Sequence, residues 1–262
     1  AVDRVISNGG ASGIDGMQID NLRDYLNTNW KTLRSDILSG TYRPQAVRKV
    51  EIPKASGGKR TLGIPTVIDR VIQQSISQWL GLKCEGDFHD NSYGFRPNRN
   101  AHQAVSKAQE YLNLGYTWVV ELDLEQFFDQ VNHDKLMHLL SKKIMDRRVL
   151  ALIGKYLRCG IMDHGLEQKR TKGTPQGSPL SPLLSNIILH ELDTELSSRG
   201  HRFVRYADDC SIYTKSNKSA TRIMRNITSY IESTLKLKVN REKSKVSRPS
   251  QSNLLGFSFF KS

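Results

Sequence analysis

The sequence predicts an α+β fold whose strands pair antiparallel. Two observations carry this. Strand-like runs come in neighbouring pairs joined by short turns, at 46–53 with 59–64 and at 202–206 with 210–214. Segments with apolar residues at helical spacing are grouped between those pairs rather than alternating with single strands, so a parallel βαβ sheet is excluded.

The elements follow in order. Residues 1–20 carry turn signals, Asn8-Gly-Gly10 and Ile14-Asp-Gly16. The run 46–53 reads as a strand, Ser56-Gly57-Gly58 as a turn and 59–64 as the returning strand before Pro65, together a basic hairpin. Ile68, Val71, Ile72, Ile76, Trp79 and Leu80 sit at helical spacing over 67–82. A second helix is predicted over 100–114 from Ala101, Ala104, Val105, Ala108 and Leu112, with Gly115 as its stop. The β-rich run 117–122 delivers Asp123 at its end. Helical patterns recur at 133–143 and 147–158, and 171–181 is a Gly/Pro/Ser loop. Ser181 reads as an N-cap with Pro182 in the first helical position, ahead of Leu184, Ile187, Ile188, Leu192 and Leu196. Two short strands then flank an acidic turn, a helix follows near 218–235, and a basic segment leads to a strand-like run at 254–260.

Length and composition bound the function classes. A chain of 262 residues with 37% hydrophobic and 25% charged residues has enough apolar content for one or two packed domains. No run of about 18 apolar residues is present, so no membrane span is expected. Lys and Arg number 39 against 26 Asp and Glu, a formal charge of +13, which points to a polyanionic partner, nucleic acid first. The excess is concentrated at 201–262, with 13 basic and 4 acidic residues, and at 41–60, with 6 and 1. Cys84, Cys159 and Cys210 are odd in number, widely spaced and without a C-x-x-C, so free thiols in a reducing, cytoplasmic setting are expected rather than a zinc cluster or disulfide framework. The seven histidines make no helical H-x-x-x-H pair and read as structural or surface residues. The chain starts without Met, shows no signal peptide and reads as a piece cut at both ends.

The most informative stretch is Phe203-Val-Arg-Tyr-Ala-Asp-Asp-Cys-Ser-Ile-Tyr213. An Asp-Asp pair alone is an ordinary solvated turn. Here it stands between apolar β-prone flanks, which would hold it at the tip of a rigid hairpin. Adjacent like charges repel and are costly to desolvate, and a hard divalent cation relieves that cost. Asp123, 85 residues before Asp208, also stands where an apolar strand ends, and a central strand beside the hairpin would bring the two together. Such oxygen ligands suit Mg²⁺, which completes its shell with water and substrate phosphates. Two ions about 3.5–4 Å apart would serve an in-line phosphoryl displacement.

Tyr206-Ala-Asp-Asp209 resembles the active-site box of reverse transcriptases. Nearly the whole chain is similar to the reverse transcriptase region of group II intron-encoded proteins, or maturases. The resemblance runs in order through Gly13-Ile-Asp-Gly16, Ile52-Pro-Lys54, Gly57-Gly-Lys-Arg60, Leu62-Gly-Ile-Pro-Thr66 with Asp69-Arg70, and Ser92-Tyr-Gly-Phe-Arg-Pro97. It continues through Asp123 with Phe127-Phe-Asp129, Gly173-Thr-Pro-Gln-Gly-Ser-Pro179, Ser181-Pro-Leu-Leu184, Asn240-Arg-Glu-Lys-Ser244 and Leu255-Gly-Phe257.

The resemblance implies a right-hand polymerase fold, with an antiparallel palm sheet packed on helices and a helical and hairpin fingers subdomain. Fingers would span 1–92 and 131–172, palm 93–130 and 173–262, with no thumb in the chain. It further implies that Asp123, Asp208 and the carbonyl of Leu124 hold two Mg²⁺ ions, with Asp209 as an auxiliary carboxylate. Phe128 would exclude a ribose 2′-hydroxyl, whereas Phe127 reads as core. Gln176 would touch the incoming nucleotide, Lys54 and Arg60 would clamp its triphosphate (Lys59 being the lesser alternative to Arg60), and Lys243 would lie near primer and nucleotide. Arg96 and Arg205 either contact nucleic acid or pair with nearby acids. Tyr93, Phe95 and Trp118 have rings able to stack on bases, with burial the plainer expectation. Thr61 stands where the family usually has Pro, and Leu124-Glu125-Gln126 replaces a more usual Ile-Lys-Gly; neither change touches an implied ligand.

Two functions follow: RNA-directed DNA synthesis, with template RNA, primer DNA and deoxynucleoside triphosphate as partners, or a non-catalytic module that binds group II intron RNA and aids its splicing. The intact trio Asp123, Asp208 and Asp209 favours the first. A homodimer is compatible with either.

Overall fold

The computed structural model describes residues 1–53 and 57–259. Lys54 therefore lies outside the described residues. In chain order the main elements are α1 (Val2–Asn8), α2 (Leu22–Ser39), β1 (Val47–Pro53), β2 (Lys59–Ile64), α3 (Val67–Cys84), α4 (Ala101–Asn113), β3 (Trp118–Leu122), α5 (Phe127–Gln130), α6 (His133–Ser141), α7 (Arg147–Arg158), β4 (Ile161–Asp163), β5 (Leu166–Gln168), α8 (Ser181–Ser198), β6 (Arg202–Tyr206), β7 (Asp209–Thr214), α9 (Asn217–Tyr230) and β8 (Lys245–Ser247). The chain divides into two compact units, Ala1–Cys84 with Leu136–Leu183, and Glu85–Lys135 with Leu184–Ser262.

In the first unit a four-stranded sheet runs β2-β1-β4-β5. The basic hairpin β1–β2 is antiparallel, in register from Arg48 opposite Ile64 to Pro53 opposite Lys59. β4 adds parallel to β1 through Val47 and Ile161 and turns back into β5. That turn is His164-Gly165, both at positive φ, the backbone a two-residue hairpin needs to match strand twist. Asp69 on α3 is 1% exposed and ties the unit together. It accepts hydrogen bonds from the Tyr42 hydroxyl at 2.7 Å, the Tyr156 hydroxyl at 3.0 Å, the Thr66 hydroxyl at 2.9 Å and the Gln45 N–H at 3.1 Å. Burial pushes its pKa up, and these donors oppose the shift.

In the second unit an antiparallel sheet runs β6-β7-β3-β8. Side chains alternate between its faces. Val119, Val204 and Tyr213 point to one side, where α4 packs Ala104, Ala108 and Tyr111 against them. Val120, Ile212, Phe203 and Arg205 occupy the other, and α8 reaches Arg205 there. α4 starts on a reciprocal cap: the Gln103 N–H donates to Asn100 Oδ1 and the Asn100 N–H to Gln103 Oε1. After α9, residues Ile231–Leu235 form one π-helical turn.

Two local expectations are corrected, and two helices form where the sequence reading places none. Ser181 is the first residue of α8, and its hydroxyl donates to the Pro175 carbonyl at 2.8 Å instead of capping the helix. The run 254–259 is no strand: Leu254 and Phe257 exchange backbone hydrogen bonds around Leu255 and Gly256, both at positive φ, in a tight turn. α2 forms where the sequence reading places no element, although Leu22, Leu26, Trp30, Leu33 and Ile37 stand at helical spacing; Leu22 and Leu33 are its buried residues. Residues 2–8 form α1, which stops at the Asn8-Gly-Gly10 turn signal, where Gly9 takes φ 62°.

Candidate active site

The site is built on the β6–β7 hairpin and the end of β3. Tyr206 pairs with Asp209, leaving Ala207 and Asp208 as the two turn residues. The first turn position demands positive φ, ordinarily met by glycine, yet Ala207 sits there at φ 55°. The turn is held from below by Arg205, which is completely buried. All five guanidinium donors are engaged. Nε and one Nη bind both oxygens of Asp193 at 2.7 and 2.6 Å, and the remaining donors reach Ser92 Oγ at 2.7 Å, Asn186 Oδ1 at 3.1 Å and the Ala207 carbonyl at 2.8 Å. From the side, Gly94 lies so close that a Cβ there would overlap the Ala207 backbone nitrogen. Asn186 fixes Gly94 in turn by donating to its carbonyl at 2.9 Å.

β3 pairs with β7 through Leu122 opposite Cys210. The next residue on β3 is Asp123, and the preceding one on β7 is Asp209. The period of two puts both on the face that carries Glu121 and Ser211. The backbone of Asp123 is clamped: its N–H donates to Ser244 Oγ at 3.0 Å and its carbonyl accepts from the Asn240 N–H at 2.9 Å. Leu124 bridges Val239, but the bridge's hydrogen bonds run from Asn240 to Asp123 and from Glu125 to Lys238, so they do not consume the Leu124 carbonyl.

A cavity of about 360 Å³ opens at this end of the sheet. Glu121, Asp123 and Asp209 line it with Lys243 and Lys245, and the 253–256 turn forms one wall. Glu121 secures that wall, accepting from the Asn253 N–H at 2.9 Å and Ser252 Oγ at 3.1 Å, with Lys245 at 3.3 Å. Although Asp209 begins its strand at the surface, partial desolvation and then the charges of Asp208, Asp123 and Glu121 push its pKa up to about 6, with Lys243 opposing. Acid groups from β3, the turn and β7 are thus near enough to repel one another.

The donor set fits a hard divalent cation, since every group is an oxygen and their mutual repulsion is what such an ion would relieve. Among the described residues no group of three or more acidic, His or Cys side chains is arranged around a common metal position. Two carboxylates with water and phosphate oxygens suffice for Mg²⁺, so the fit rests on Asp123 and Asp209 at the cavity with Asp208 beside them. The sequence reading takes Asp208 as the ligand shared with Asp123; in the structure Asp209 lines the cavity with Asp123, and Asp208 adjoins it in the turn, its charge acting on Asp209.

The other expected residues fall as follows. Lys243 lies on the cavity. Phe128 is half-buried with its ring 5.2 Å from Phe127, which is the buried member of the pair. Arg96 and Arg205 take the structural of their two roles: Arg205 is sequestered with Asp193, and Arg96 binds Glu85 at 2.8 Å and the carbonyls of His89 and Ser92. Both are corrected as nucleic-acid contacts, because their donors are spent inside the fold. In the first unit, Arg60 is exposed on β2, and Lys59, also exposed, pairs with Glu51 at 2.7 Å. Gln176 is half-buried, and its carbonyl accepts from the Gly63 N–H at 2.8 Å. Sequence reasoning missed Glu121, although its place two residues before Asp123 marks the same strand face. It also missed Asp193 and Asn186, which carry no local signal.

The family described as "Reverse transcriptase (RNA-dependent DNA polymerase)" matches residues 52–259. Among curated relatives, the chain is 34% identical to Protein YkfC of Escherichia coli K12 over 272 residues, covering 89% of this chain and 71% of YkfC. It is 39% identical to the group II intron-encoded protein LtrA of Lactococcus lactis subsp. cremoris over 194 residues, covering 74% of this chain and 32% of LtrA. The chain thus spans about a third of LtrA's length. Among solved structures, telomerase from Candida tropicalis in complex with a fragment of telomeric RNA superposes with a TM-score of 0.60 at 14% identity, covering 85% of this chain and 45% of the telomerase chain, a likeness of fold alone. The carboxylate-bearing hairpin, the sheet that supports it and these relatives agree: the chain belongs to the reverse transcriptase family, as the reverse transcriptase region of a group II intron-encoded protein.

Proposed function

We propose that this chain carries the nucleotidyl-transfer centre of an RNA-directed DNA polymerase, with the second unit as palm and the first as fingers. The observation that carries the reading is the meeting of Asp123 from β3 and Asp209 from β7 on one cavity, with Asp208 in the adjoining turn. The substrates are template RNA, a DNA primer and a deoxynucleoside triphosphate, and RNA of a group II intron is the further ligand that the kinship with LtrA points to. The three buried free thiols accord with action in a reducing compartment.

Asp123, Asp208 and Asp209, with the carbonyl of Leu124, would hold a pair of Mg²⁺ ions. When bound, such ions polarise the attacking primer hydroxyl and neutralise charge on the leaving phosphates. The chain's own residues do the rest. Arg205 and Gly94 hold the turn so that its carboxylates are placed before substrate arrives, which removes reorganisation from the chemical step. Lys243 places a positive charge where polyphosphate charge develops, and Arg60 and Lys54 are the triphosphate clamp. Gln176 touches the incoming nucleotide, and the ring of Phe128 selects against a 2′-hydroxyl by size.

Primer extension on an RNA template tests this. The unsubstituted chain should extend the primer, and Asp123→Asn and Asp208→Asn should abolish extension while still binding RNA. Undiminished extension by either variant overturns the reading.

A further inference from the structure

Phe95 is out of place by ordinary packing rules. It is 51% exposed, whereas Tyr93 two residues earlier is 6% exposed and sits in the core. It also holds φ 60°, a region that bulky side chains avoid. An exposed ring kept in an unfavourable backbone conformation signals a constraint other than stability.

Both neighbours of Phe95 are pinned. Gly94 is wedged against Ala207 and held by Asn186. Arg96 is anchored by Glu85 and by the carbonyls of His89 and Ser92. The segment leading in runs parallel to β6, since the Arg205 N–H donates to the Asn91 carbonyl at 2.8 Å and the Tyr93 N–H to the Arg205 carbonyl at 2.9 Å. β6 climbs toward the carboxylate turn, so Phe95 emerges at that same end of the sheet. Among the described residues no aromatic or cationic group packs on its ring.

We propose that Phe95 is a nucleobase-stacking residue beside the carboxylate turn. A rigid, uncovered aromatic face on a chain of net charge +13 suits a ligand with a planar apolar surface and an anionic backbone. The inference rests on the polymerase reading and adds a contact to it. The stacked base belongs to either the template or the primer end, which share this chemistry.

The test is binding of an RNA template–DNA primer duplex to the full chain without metal or nucleotide, followed by anisotropy across a salt series, together with thermal unfolding. Phe95→Ala should weaken binding about tenfold, within the roughly 5–150-fold range of a lost base stack. Phe95→Trp should restore it. The salt slope should stay as in the unsubstituted chain, because the ring neutralises no phosphate. Phe95→Gly should raise the melting temperature while weakening binding, the opposite of what a ring holding the fold would do. 2-Aminopurine placed in the template or at the primer terminus assigns the source, since only the stacked position loses its quenching in Phe95→Ala. Unchanged affinity in Phe95→Ala, or a lowered melting temperature in Phe95→Gly, overturns the inference. Failure of the unsubstituted chain to bind the duplex would strike the polymerase reading, and the inference with it.

Discussion

Asp209 holds its proton up to a pH of about 6, well above an ordinary carboxyl, because desolvation and three neighbouring acids oppose its ionisation. The sign of the stability effect follows. Between about pH 4 and 6 the folded chain keeps this proton while the unfolded chain has released it, so stability falls as the pH climbs through that window. Asp209→Asn removes the repulsion. It should raise the melting temperature at pH 7 by a few degrees and flatten the slope of stability between pH 4 and 6, measured by denaturant unfolding at several pH values. An unchanged slope contradicts this account of the site. Arg205 makes the converse case. Its partner Asp193 is fully buried, so Asp193→Asn leaves a buried cation half-compensated and should cost about 3–5 kcal/mol in urea unfolding. Arg205 was visible in the sequence only as a basic residue next to the carboxylates. Its burial is decided by α8 and the 91–94 segment, neither of which its own strand announces.

The elements show how far local pattern reaches. β1, β2, α3, α4, α7 and β6 fall within a residue or two of their sequence limits, because each has a strong period and a clear stop. α4 is the best marked, and its reciprocal Asn100–Gln103 cap supplies the start signal. Asn100→Ala should lower stability by about 1 kcal/mol, read as a shifted urea midpoint with the m-value unchanged. Where the pattern is short, context decides. The strands β4 and β5 have three residues each, and only the paired positive φ at His164-Gly165 marks their hairpin. The Leu254–Phe257 turn reads as a strand from its apolar run, but Leu254 and Phe259 are drawn into the α4 core and the residues between them must turn.

At the scale of the whole molecule, the charge of +13 predicts how the chain meets its ligand. Binding to RNA should weaken steeply with salt, with a log–log slope of about −4 if some six phosphates are neutralised on a single strand. Titration from low to moderate ionic strength measures it, and a flat response would refute the electrostatic reading. The acids at the cavity pull the other way locally, a contrast with the basic chain that the proposed metal-binding centre would use.

By itself the sequence determined the fold class, most element limits and the family boxes, because strand alternation, helical spacing, turn chemistry and short motifs are local properties. Only the tertiary structure decided that Asp209 shares the cavity with Asp123, that Arg96 and Arg205 spend their charge inside the fold, and that Phe95 stands uncovered. Those outcomes depend on cross-strand register and burial between segments far apart in the chain, and no periodicity within a single segment encodes them.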